Sequence, residues 1–440
     1  MSASSDRPLS VVLGTAAAAG TIAAARALGS SGVTVNVLSM SRLSAAAWSA
    51  RVSRRWSTPP ESDGQGFIER LLEIGAANPG QILLATSDET AWLYTLNADA
   101  LKKYFCVYQP SIDCMRRILD KKAFAEAATN AGLFPLPSWE LNDPAEITAL
   151  APTLPYPILI KPRTHVHRLR NDKGAVVNSS DELIHQYRLI VDRERARAAD
   201  NPLIPNAALP ILQPFVSTVQ DGVCSISGFI DQTGELFVTR RAVKVFQRSQ
   251  PVGVGICFES LPPDPALSDG VRRLCRELGY FGVFEVEFIR FNGQWAVIDF
   301  NPRFFSQVGM DIRRGMPLPM LACLDATGQT EALRVAVEQA QSHDEALPAA
   351  FKDVFTLHAI LLARAVTGRS TRGDWSYWRT WVKRRADHSV DYAVDSADRM
   401  PGVIHALSEI HLGIKAIPRF LNSTPRVAPV KSHPSAEACS

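Results

Sequence analysis

Apolar and polar residues alternate through the segment 284–303, and this pattern predicts two β-strands. Aromatic and β-branched residues are frequent in both arms, as is typical of strands. Asn292-Gly293 is a turn signal between the arms. Each arm has an apolar face of three residues: Phe284, Val286 and Phe288 in the first, and Ala296, Ile298 and Phe300 in the second.

The register of this predicted hairpin follows from its two apolar faces. They line the same side of a sheet only if even-numbered residues pair with even-numbered ones. A two-residue loop at Asn292-Gly293 would pair odd with even residues, so we expect an odd-length loop or a bulge, for which Gly293 is suited. In that register the opposite face carries four polar residues, which are Glu285, Glu287, Asp299 and Asn301.

The acidic face of the hairpin requires a compensating charge, because carboxylates that face each other across a sheet repel. Oxygen ligands without His or Cys indicate Mg²⁺, shared with nucleotide phosphates. The alternative is a solvated sheet face with scattered acids. Two features favour the metal: Asn301-Pro302-Arg303, which ends the second strand with an amide and a guanidinium, and lysines upstream in the chain.

The N-terminal pattern predicts a β-loop-α-β unit, with strands at 9–13 and 33–38, a small-residue loop at 14–20 and an Ala-rich helix that ends near residue 28. This order is typical of a Rossmann-like layer. The glycine spacing is not G-x-G-x-x-G, and no acidic residue follows the second strand. We therefore favour tight packing of the helix on the strand over a dinucleotide site.

A third buried strand, 81–85, is followed by Thr86-Ser87-Asp88-Glu89. Ligands of open α/β sheets bind at such strand ends. A helix cap at Ser87 or Asp88 is the more common explanation for these residue types.

The middle and C-terminal parts of the chain predict further strands and helices. One helix over 114–132 carries Asp120-Lys121-Lys122, and a strand over 155–160 ends at Lys161-Pro162. A basic loop follows at 163–173. The remaining pattern predicts strands at 209–216, 223–230, 236–243 and 255–259, and helices at 181–200, 265–279, 316–328, 330–340, 352–366, 375–385 and 400–420.

Length and charge limit the possible functions. A chain of 440 residues predicts two to four domains, and a net charge of +3 is too small to indicate nucleic-acid binding. Arginines cluster at 51–55, 193–197 and 379–385, and tryptophans are interleaved with the first and third clusters. Such stretches can bind single-stranded nucleic acid or acidic membranes. We favour solvated helix faces instead.

The seven cysteines are scattered, odd in number and without a C-x-x-C pair. This usage is typical of a reducing cytoplasm without structural zinc. The apolar N-terminus does not fit a signal peptide, because Gly14, Gly20 and Arg26 interrupt it. No uninterrupted apolar stretch is long enough to predict a transmembrane segment.

Five features occur in order along the chain: Asp120-Lys121 on a helix, Lys161-Pro162 at a strand end, the linker Gln213-Pro214-Phe215-Val216, a strand with Glu287, and Asp299-Phe300-Asn301-Pro302-Arg303. Together they resemble the ATP-grasp superfamily of carboxylate ligases. Within it, the pattern is most similar to the carbamoyl-phosphate-synthase-like and D-aspartate-ligase-like branch. The N-terminal layer resembles the pre-ATP-grasp domain of many members.

The resemblance, which covers residues 8–330, implies an α/β (α+β) fold. A Rossmann-like pre-ATP-grasp domain would occupy 8–114, and a two-lobed ATP-grasp domain 115–330, with its small lobe at about 151–215. A helical C-terminal region would follow at 331–422. The tail 423–440 is rich in Pro, Ser and Lys and is expected to be disordered.

For the nucleotide, the resemblance implies that Lys121 and Lys161 hold phosphates, a task that suits a compact ammonium group. The adenine would lie against a hinge made of Gln213, Phe215 and Val216. Asp221 would touch the ribose, with Gln220 as a competing candidate. Read in isolation, the lysines would be solvated and the hinge would be the end of a core strand.

For the reaction, the resemblance implies that Glu287, Asp299 and Asn301 bind Mg²⁺, with Mn²⁺ as an alternative. Arg303 matches the arginine beside the transferred phosphoryl group. Lys244 or Arg248 would meet phosphate or the substrate carboxylate, although both fit surface charges as well. Metal ions and guanidinium groups act in such reactions by stabilising charge on the phosphoryl oxygens.

Two departures from the family pattern concern this site. Asp299 stands where a glutamate is usual, and its side chain is one methylene shorter. The basic loop lacks the Gly-rich character of many relatives and carries His165, His167, Arg168 and Arg170 instead. These residues could clamp phosphates or an acidic substrate, or they could form a mobile basic loop.

The implied activity is ATP- and Mg²⁺-dependent ligation of a small or amino-acid carboxylate to an amine through an acyl phosphate, in a cytoplasmic enzyme that could form a homodimer. Neither a nucleic-acid partner nor a side-chain nucleophile is expected. Two alternatives are an NAD(P)-binding Rossmann oxidoreductase, which the poor glycine fingerprint disfavours, and a non-catalytic nucleotide-binding regulator, which the retained polar set of the hairpin disfavours.

Overall fold

The structure is a computed structural model that describes residues 9–164, 166, 174–198, 204, 206–216, 222–248, 253–343, 348–368 and 370–421. Three β-sheets organise this part of the chain: a five-stranded, a three-stranded and an eight-stranded sheet. Helices cover the sheets, so the fold is α/β, as the sequence predicts.

The N-terminal layer is an all-parallel sheet with strand order β3-β2-β1-β4-β5. Its strands are β1 (Ser10–Thr15), β2 (Thr34–Ser39), β3 (Arg54–Ser57), β4 (Gln81–Leu84) and β5 (Phe105–Val107), and its helices are α1 (Ala19–Ser30), α2 (Gly64–Ala77), α3 (Asp88–Leu96) and α4 (Ala98–Leu101). The strand order changes direction between β1 and β4, as in Rossmann-like folds. The predicted Rossmann-like layer is therefore confirmed.

Two details of this layer refine the sequence analysis. Gly20 lies on α1, and a Cβ at this position would come within 2.8 Å of the Phe305 backbone oxygen, so the glycine serves close packing.

The first arginine cluster, at 51–55, was interpreted as a helix face, and this interpretation is wrong. Arg54 and Arg55 lie on the edge strand β3, and the Arg55 guanidinium stacks on Trp48.

A small lobe follows, built on the antiparallel sheet β8-β7-β9. Its elements and those leading to it are α5 (Ile112–Leu119), α6 (Lys121–Asn130), β6 (Phe134–Pro135), α7 (Ile147–Leu150), β7 (Ile158–Lys161), β8 (Ala175–Val177), α8 (Ser180–Ala198) and β9 (Ile211–Pro214). The lobe has its own apolar cluster, in which Ile158 and Leu212 of the sheet pack against Tyr187 of α8.

The helix predicted over 114–132 is two helices, because the chain breaks at Asp120. The backbone of Asp120 is extended (ψ 111°), and its carboxylate accepts the Lys122 N–H as the N-cap of α6. The same carboxylate binds the Arg163 guanidinium through two hydrogen bonds of 3.0 and 3.2 Å. Asp120 thereby fixes the start of the helix that carries Lys121.

The eight-stranded sheet has the order β16-β15-β12-β11-β10-β13-β14-β6. Its strands beyond β6 are β10 (Val223–Ile230), β11 (Phe237–Arg248), β12 (Val254–Leu261), β13 (Gly282–Phe291), β14 (Gln294–Asn301), β15 (Ala350–Lys352) and β16 (Ser389–Asp391). The helices of this region are α9 (Pro265–Leu278), α10 (Val308–Arg313), α11 (Leu318–Ala326) and α12 (Thr330–Ser342). The hairpin β13-β14 lies near one edge of this sheet.

The turn of the hairpin differs from the prediction. Phe291 pairs with Gln294, so the loop has two residues, and both have positive φ, 49° at Asn292 and 80° at Gly293. These values are typical of a type I′ turn, which suits the twist of a hairpin. The expected bulge exists, but it lies at Ile298, between the pairs Phe288–Val297 and Glu287–Asp299.

The bulge changes which residues share a face. Between the bulge and the end of β14, Val286 pairs with Phe300, as the even-with-even register predicts. Between the bulge and the turn, Val297 rather than Ala296 joins the core cluster of Phe284 and Phe300. The predicted second triplet is therefore wrong, because Ala296 and Ile298 belong to a separate cluster on the other side of the sheet.

The C-terminal region is formed by the helices α13 (Val354–Val366), α14 (Arg372–Arg384) and α15 (Met400–Leu421). It also supplies strands β15 and β16, which the sequence analysis missed because each has only three residues. No helix in the described part of the chain is long and apolar enough to cross a membrane.

The N-terminal layer and the eight-stranded sheet share their cores. One cluster contains Val12 of β1 and Phe284 of β13, and a second contains Leu13 of β1 and Phe229 of β10. The end of β14 is therefore held directly against the N-terminal layer, and this contact positions the candidate site.

Candidate functional site

Two carboxylates face each other at the centre of the site. Glu287 and Asp299 are a cross-strand pair of β13 and β14. The Lys244 ammonium, from β11, donates to Glu287 Oε1 at 2.8 Å, and the Lys121 ammonium, from α6, lies 3.4 Å from Asp299 Oδ1. The intervening strand β10 carries the small Ser225 opposite Glu287, which leaves room for Lys244 to reach across.

The charge of Lys244 is secured by its surroundings. Burial alone would lower the pKa of the ammonium group, but the attraction of Glu287, with Glu285 and Asp299, outweighs it and raises the pKa. The competing candidate, Arg248, lies at the end of β11 and pairs with Glu409 of α15 at 2.8 Å. Of the two predicted cations, only Lys244 therefore contacts the carboxylate pair.

A second polar row lies one pair further along the hairpin. Asn301 is paired with Glu285, and its amide donates to Glu285 Oε2 at 3.0 Å. The Gln307 amide donates to the other oxygen of Glu285. Burial, together with the nearby charge of Glu287, raises the pKa of Glu285 to about 7. Glu285 was placed on this face without a role, and nothing in the sequence pattern marked Gln307.

Arg303 lies two residues beyond the end of β14 and connects this strand end to the N-terminal layer. Its Nε donates to Asp88 Oδ1 at 2.8 Å, and its Nη2 donates to Asn301 Oδ1 at 3.0 Å. Burial would lower the pKa of Arg303, but Asp88 more than compensates, and the pKa is raised. Ser87 is the N-cap of α3, so Asp88 in the first turn of the helix is available to Arg303.

The base of the basic loop is anchored beside Lys121. Arg163 is 5% exposed and holds Asp120, and its backbone oxygen accepts the Lys121 N–H at 3.1 Å. Arg163 therefore has a structural contact that orients α6. The other basic residues predicted in this loop, His165, His167, Arg168 and Arg170, lie outside the described residues.

Two of the predicted nucleotide residues lie on adjacent strands of the small lobe. Lys161 ends β7 opposite Ile211, and Gln213 pairs with Leu159, which lies two residues earlier on β7. The Gln213 side chain is buried, and its Oε1 accepts no hydrogen bond in the structure, as expected of a group that meets a ligand. Asp221 and its competitor Gln220 lie outside the described residues.

An apolar surface adjoins the polar rows. The Phe215 N–H donates to the Pro157 oxygen at 3.0 Å and continues β9 toward the eight-stranded sheet. Val216 packs in the same cluster as Ile298, the bulged residue of β14. The bulge therefore places the apolar side chain of Ile298 in this cluster, beside Asp299, the next residue in the sequence. Sequence reasoning missed this role of Ile298 because it assigned the residue to the core.

The donor set has the chemistry of a Mg²⁺ site that is completed by phosphates. Among the described residues, no three His, Cys, Asp or Glu side chains form a metal site by themselves. Glu287 and Asp299 supply two carboxylates and Asn301 an amide, all oxygen donors. Mg²⁺ prefers such ligands and commonly combines one or two carboxylates with substrate phosphates. The residues present therefore fit the predicted metal.

No model of a known protein family and no curated protein sequence matches this chain. Solved structures do. The biotin carboxylase domain dimer of Hydrogenobacter thermophilus 2-oxoglutarate carboxylase, in complex with MgADP, ADP and bicarbonate, is 14% identical over 72% of this chain and 69% of its own, with a TM-score of 0.58.

Two further neighbours have different activities. N5-carboxyaminoimidazole synthetase from Staphylococcus aureus is 15% identical over 73% of this chain and 78% of its own, with a TM-score of 0.54. The L-amino acid ligase from Bacillus licheniformis is 14% identical over 73% and 75%, with a TM-score of 0.54. At these identities the likeness concerns the fold. The chain has the ATP-grasp fold of these ligases, and this confirms the fold expected from the resemblance.

Proposed function

We propose that this protein is an ATP- and Mg²⁺-dependent ligase that joins a small carboxylic acid to an amine through an acyl phosphate. The observation that supports this proposal most directly is the pairing of Glu287 with Asp299, each held by a lysine, Lys244 and Lys121 respectively. Two carboxylates with adjacent cations suit a polyphosphate and its metal, whereas a solvated sheet face needs neither.

The nucleotide lies between the small lobe and the eight-stranded sheet in this proposal. Lys161 and Lys121 bind its phosphates. The adenine packs against Val216 and Ile298, and the unsatisfied Gln213 Oε1 accepts a hydrogen bond from its amino group. Phe215 borders this pocket, and Asp221 contacts the ribose. The metal is held by Glu287, Asp299 and Asn301, and when bound it neutralises phosphate charge.

The remaining residues act on the transferred group. A carboxylate oxygen of the acid attacks the γ-phosphorus, the bond to the bridging oxygen breaks, and ADP leaves. Arg303 and Lys244 stabilise charge on the equatorial oxygens of the phosphoryl group. The amine nitrogen then attacks the carbonyl carbon, phosphate leaves with the bonding electrons, and the nitrogen loses a proton to solvent. No side-chain nucleophile is required.

We also propose the domain boundaries, the cellular location and the oligomeric state of the protein. We retain the division at 8–114, 115–330 and 331–422 as a proposal, and the separate apolar core of the small lobe supports that lobe as a unit within it. The six cysteines in the described part of the chain are free thiols, which supports a cytoplasmic location. The H. thermophilus neighbour is a dimer, and we extend this arrangement to a homodimer here. The oxidoreductase alternative is disfavoured because Gly20 serves packing.

The test is phosphate release from ATP across a panel of small acids and amino acids, each with and without amines. Hydroxylamine serves as a trapping amine, because it converts acyl phosphates to hydroxamates. We expect phosphate and ADP only when an acid and an amine are both present, and no turnover by Asp299→Ala. Asp269→Ala, which alters an acid of α9, is the matched control and should retain full activity. If no acid gives ADP, the proposal is wrong.

A further inference from the structure

Exposed apolar side chains are concentrated toward the C-terminus of the described chain. Ten of the seventeen large ones lie between residues 355 and 412. On α13 they are Phe355, Leu362 and Val366, with exposed fractions of 37%, 59% and 82%. Their spacing of seven and four residues places them on one face of the helix. Within this apolar face, defined by the three residues, Phe355 also contacts the His405 ring of α15, with centroids 6.2 Å apart, and Leu362 and Val366 are the most exposed members.

A basic groove lies between α13 and α14. Its volume is about 620 Å³, and its lining includes His358, Trp375 and the cations Arg372, Arg379 and Lys383, with no acidic residue. The three cations are exposed, and the outer two, Arg372 and Lys383, are eleven positions apart on α14, about 16 Å at the rise of a helix. None of them forms a salt bridge with another residue that the structure describes.

The apolar face and the basic groove are neighbours. His358 lines the groove and lies one helical turn before Leu362 on the same side of α13. The opposite side of α14 is anchored in the protein. Trp378 packs on Phe246 with ring centroids 4.6 Å apart, and Trp381 donates to Glu259. The groove cations are therefore presented outward by a rigidly held helix.

We propose that α13 and α14 form a docking surface for an anionic lipid bilayer. A row of apolar side chains beside a row of cations is the pattern by which helices lie in the membrane interface, with the apolar groups inserted and the cations at the headgroups. Leu362 and Val366 would enter the acyl region, and Arg372, Arg379 and Lys383 would bind lipid phosphates.

The same residues disfavour other partners. Single-stranded nucleic acid binds by stacking successive bases on a series of aromatic rings. Trp378 and Trp381 are buried, and the exposed Tyr377 does not line the groove, which leaves Trp375 as the one Trp, Tyr or Phe ring in its lining. Pairing of this surface with a second copy of the chain would bring like charges together. An anionic bilayer, in contrast, complements both the charge and the apolar face.

The experiment is vesicle flotation with the full chain. The vesicles contain phosphatidylcholine alone or with about a third phosphatidylglycerol, at low and high salt. We expect binding to the anionic vesicles only, weakened severalfold by high salt because the attraction is screened. The double variant Arg379→Glu/Lys383→Glu should lose at least tenfold in affinity, and Val366→Ser severalfold.

Matched controls separate docking from general charge or hydrophobicity. Lys102→Glu/Lys103→Glu alters two exposed lysines of the N-terminal layer, and Val335→Ser removes an exposed valine of α12. Both should bind like the parent chain, and circular dichroism should be unchanged in all variants. Failure to bind anionic vesicles would overturn the proposal. So would equal losses in the controls, tighter binding to single-stranded RNA, or a dimer that Val366→Ser dissociates.

Discussion

Arg303 and Asp88 are 215 residues apart in sequence, yet the Arg303 guanidinium donates to the Asp88 carboxylate at 2.8 Å. Asp88 is the first residue of α3 in the N-terminal layer, and Arg303 lies two residues beyond the end of β14. The N-terminal layer therefore contributes directly to the position of the arginine that we assign to the transferred phosphoryl group.

This ion pair predicts a specific kinetic effect of Asp88→Asn. The substitution keeps the size of the side chain but removes the charge that orients Arg303. Loss of a charge-assisted hydrogen bond costs about 1.5–3 kcal/mol, so we expect kcat to fall roughly 10- to 100-fold. The KM for ATP should change less than threefold, because Asp88 is not among the residues that we assign to the nucleotide. Asp99→Asn, at an exposed acid of α4, should leave both constants unchanged. A rise in KM at constant kcat would contradict the proposed role.

The two cations predicted at β11 can be distinguished by paired variants. Lys244→Met removes the ammonium that contacts Glu287. It should lower kcat/KM about 100- to 1,000-fold, which is the usual loss when one donor to a developing negative oxygen is removed. Arg248→Met removes a similar charge from the same strand, but its partner is Glu409. It should therefore alter kcat/KM less than twofold. Equal effects of the two variants would show that Lys244 has no special role.

Glu285 gives the stability of the ligand-free protein a pH dependence. Burial raises its pKa to about 7, against about 4.5 in the unfolded chain. A raised carboxyl pKa means that folding favours the protonated form. The stabilising contribution is complete below about pH 4.5 and decreases as the pH rises to about 7.

The variant Glu285→Gln removes this titration while keeping a side chain that can accept the Gln307 amide. Between pH 6 and 8, the parent protein should lose about 1 kcal/mol more unfolding free energy than the variant, at roughly 1.4 kcal/mol per pKa unit. Urea unfolding at both pH values measures the difference. The same pH dependence in both proteins would contradict the raised pKa.

A substitution of Gly293 in the turn of the hairpin should lower stability through its backbone conformation and not through a steric clash. Gly293 has a φ of 80°, and an added Cβ would have no atom within 4 Å. Gly293→Ala should therefore destabilise the protein by about 1 kcal/mol through backbone strain alone. Gly413 of α15 has equally open space but no positive φ. Gly413→Ala should be neutral or stabilising in thermal unfolding, and a matching loss there would refute the argument from φ.

The alternation of the hairpin was enough to predict its acidic face, since apolar burial sets the register there. It was not enough to place the bulge, because Ala296, Val297 and Ile298 all suit a strand and none carries a turn signal. The consequence was local: Ile298 was assigned to the core, whereas it lies with Val216 beside the acidic pair. The break at Asp120 was missed for a related reason, because its partner Arg163 is 43 residues away.

Long-range polar contacts were beyond sequence reasoning for a more general reason. A helix cap at Ser87 or Asp88 was favoured over a ligand-binding strand end, and Ser87 is the cap in the structure. The contact of Asp88 with Arg303 depends on the packing of the N-terminal layer on β14. Gln307 is likewise defined only by the buried oxygen of Glu285 that it reaches. Pairs of this kind depend on the tertiary arrangement and leave no periodic signal.

The acyl phosphate is the central claim, and oxygen transfer tests it most directly. The acid found in the phosphate-release screen is labelled with ¹⁸O in its carboxylate, and the released phosphate is analysed by mass spectrometry. If the carboxylate attacks the γ-phosphorus, each turnover transfers one ¹⁸O atom to phosphate. Unlabelled phosphate formed together with the amide product would contradict the account.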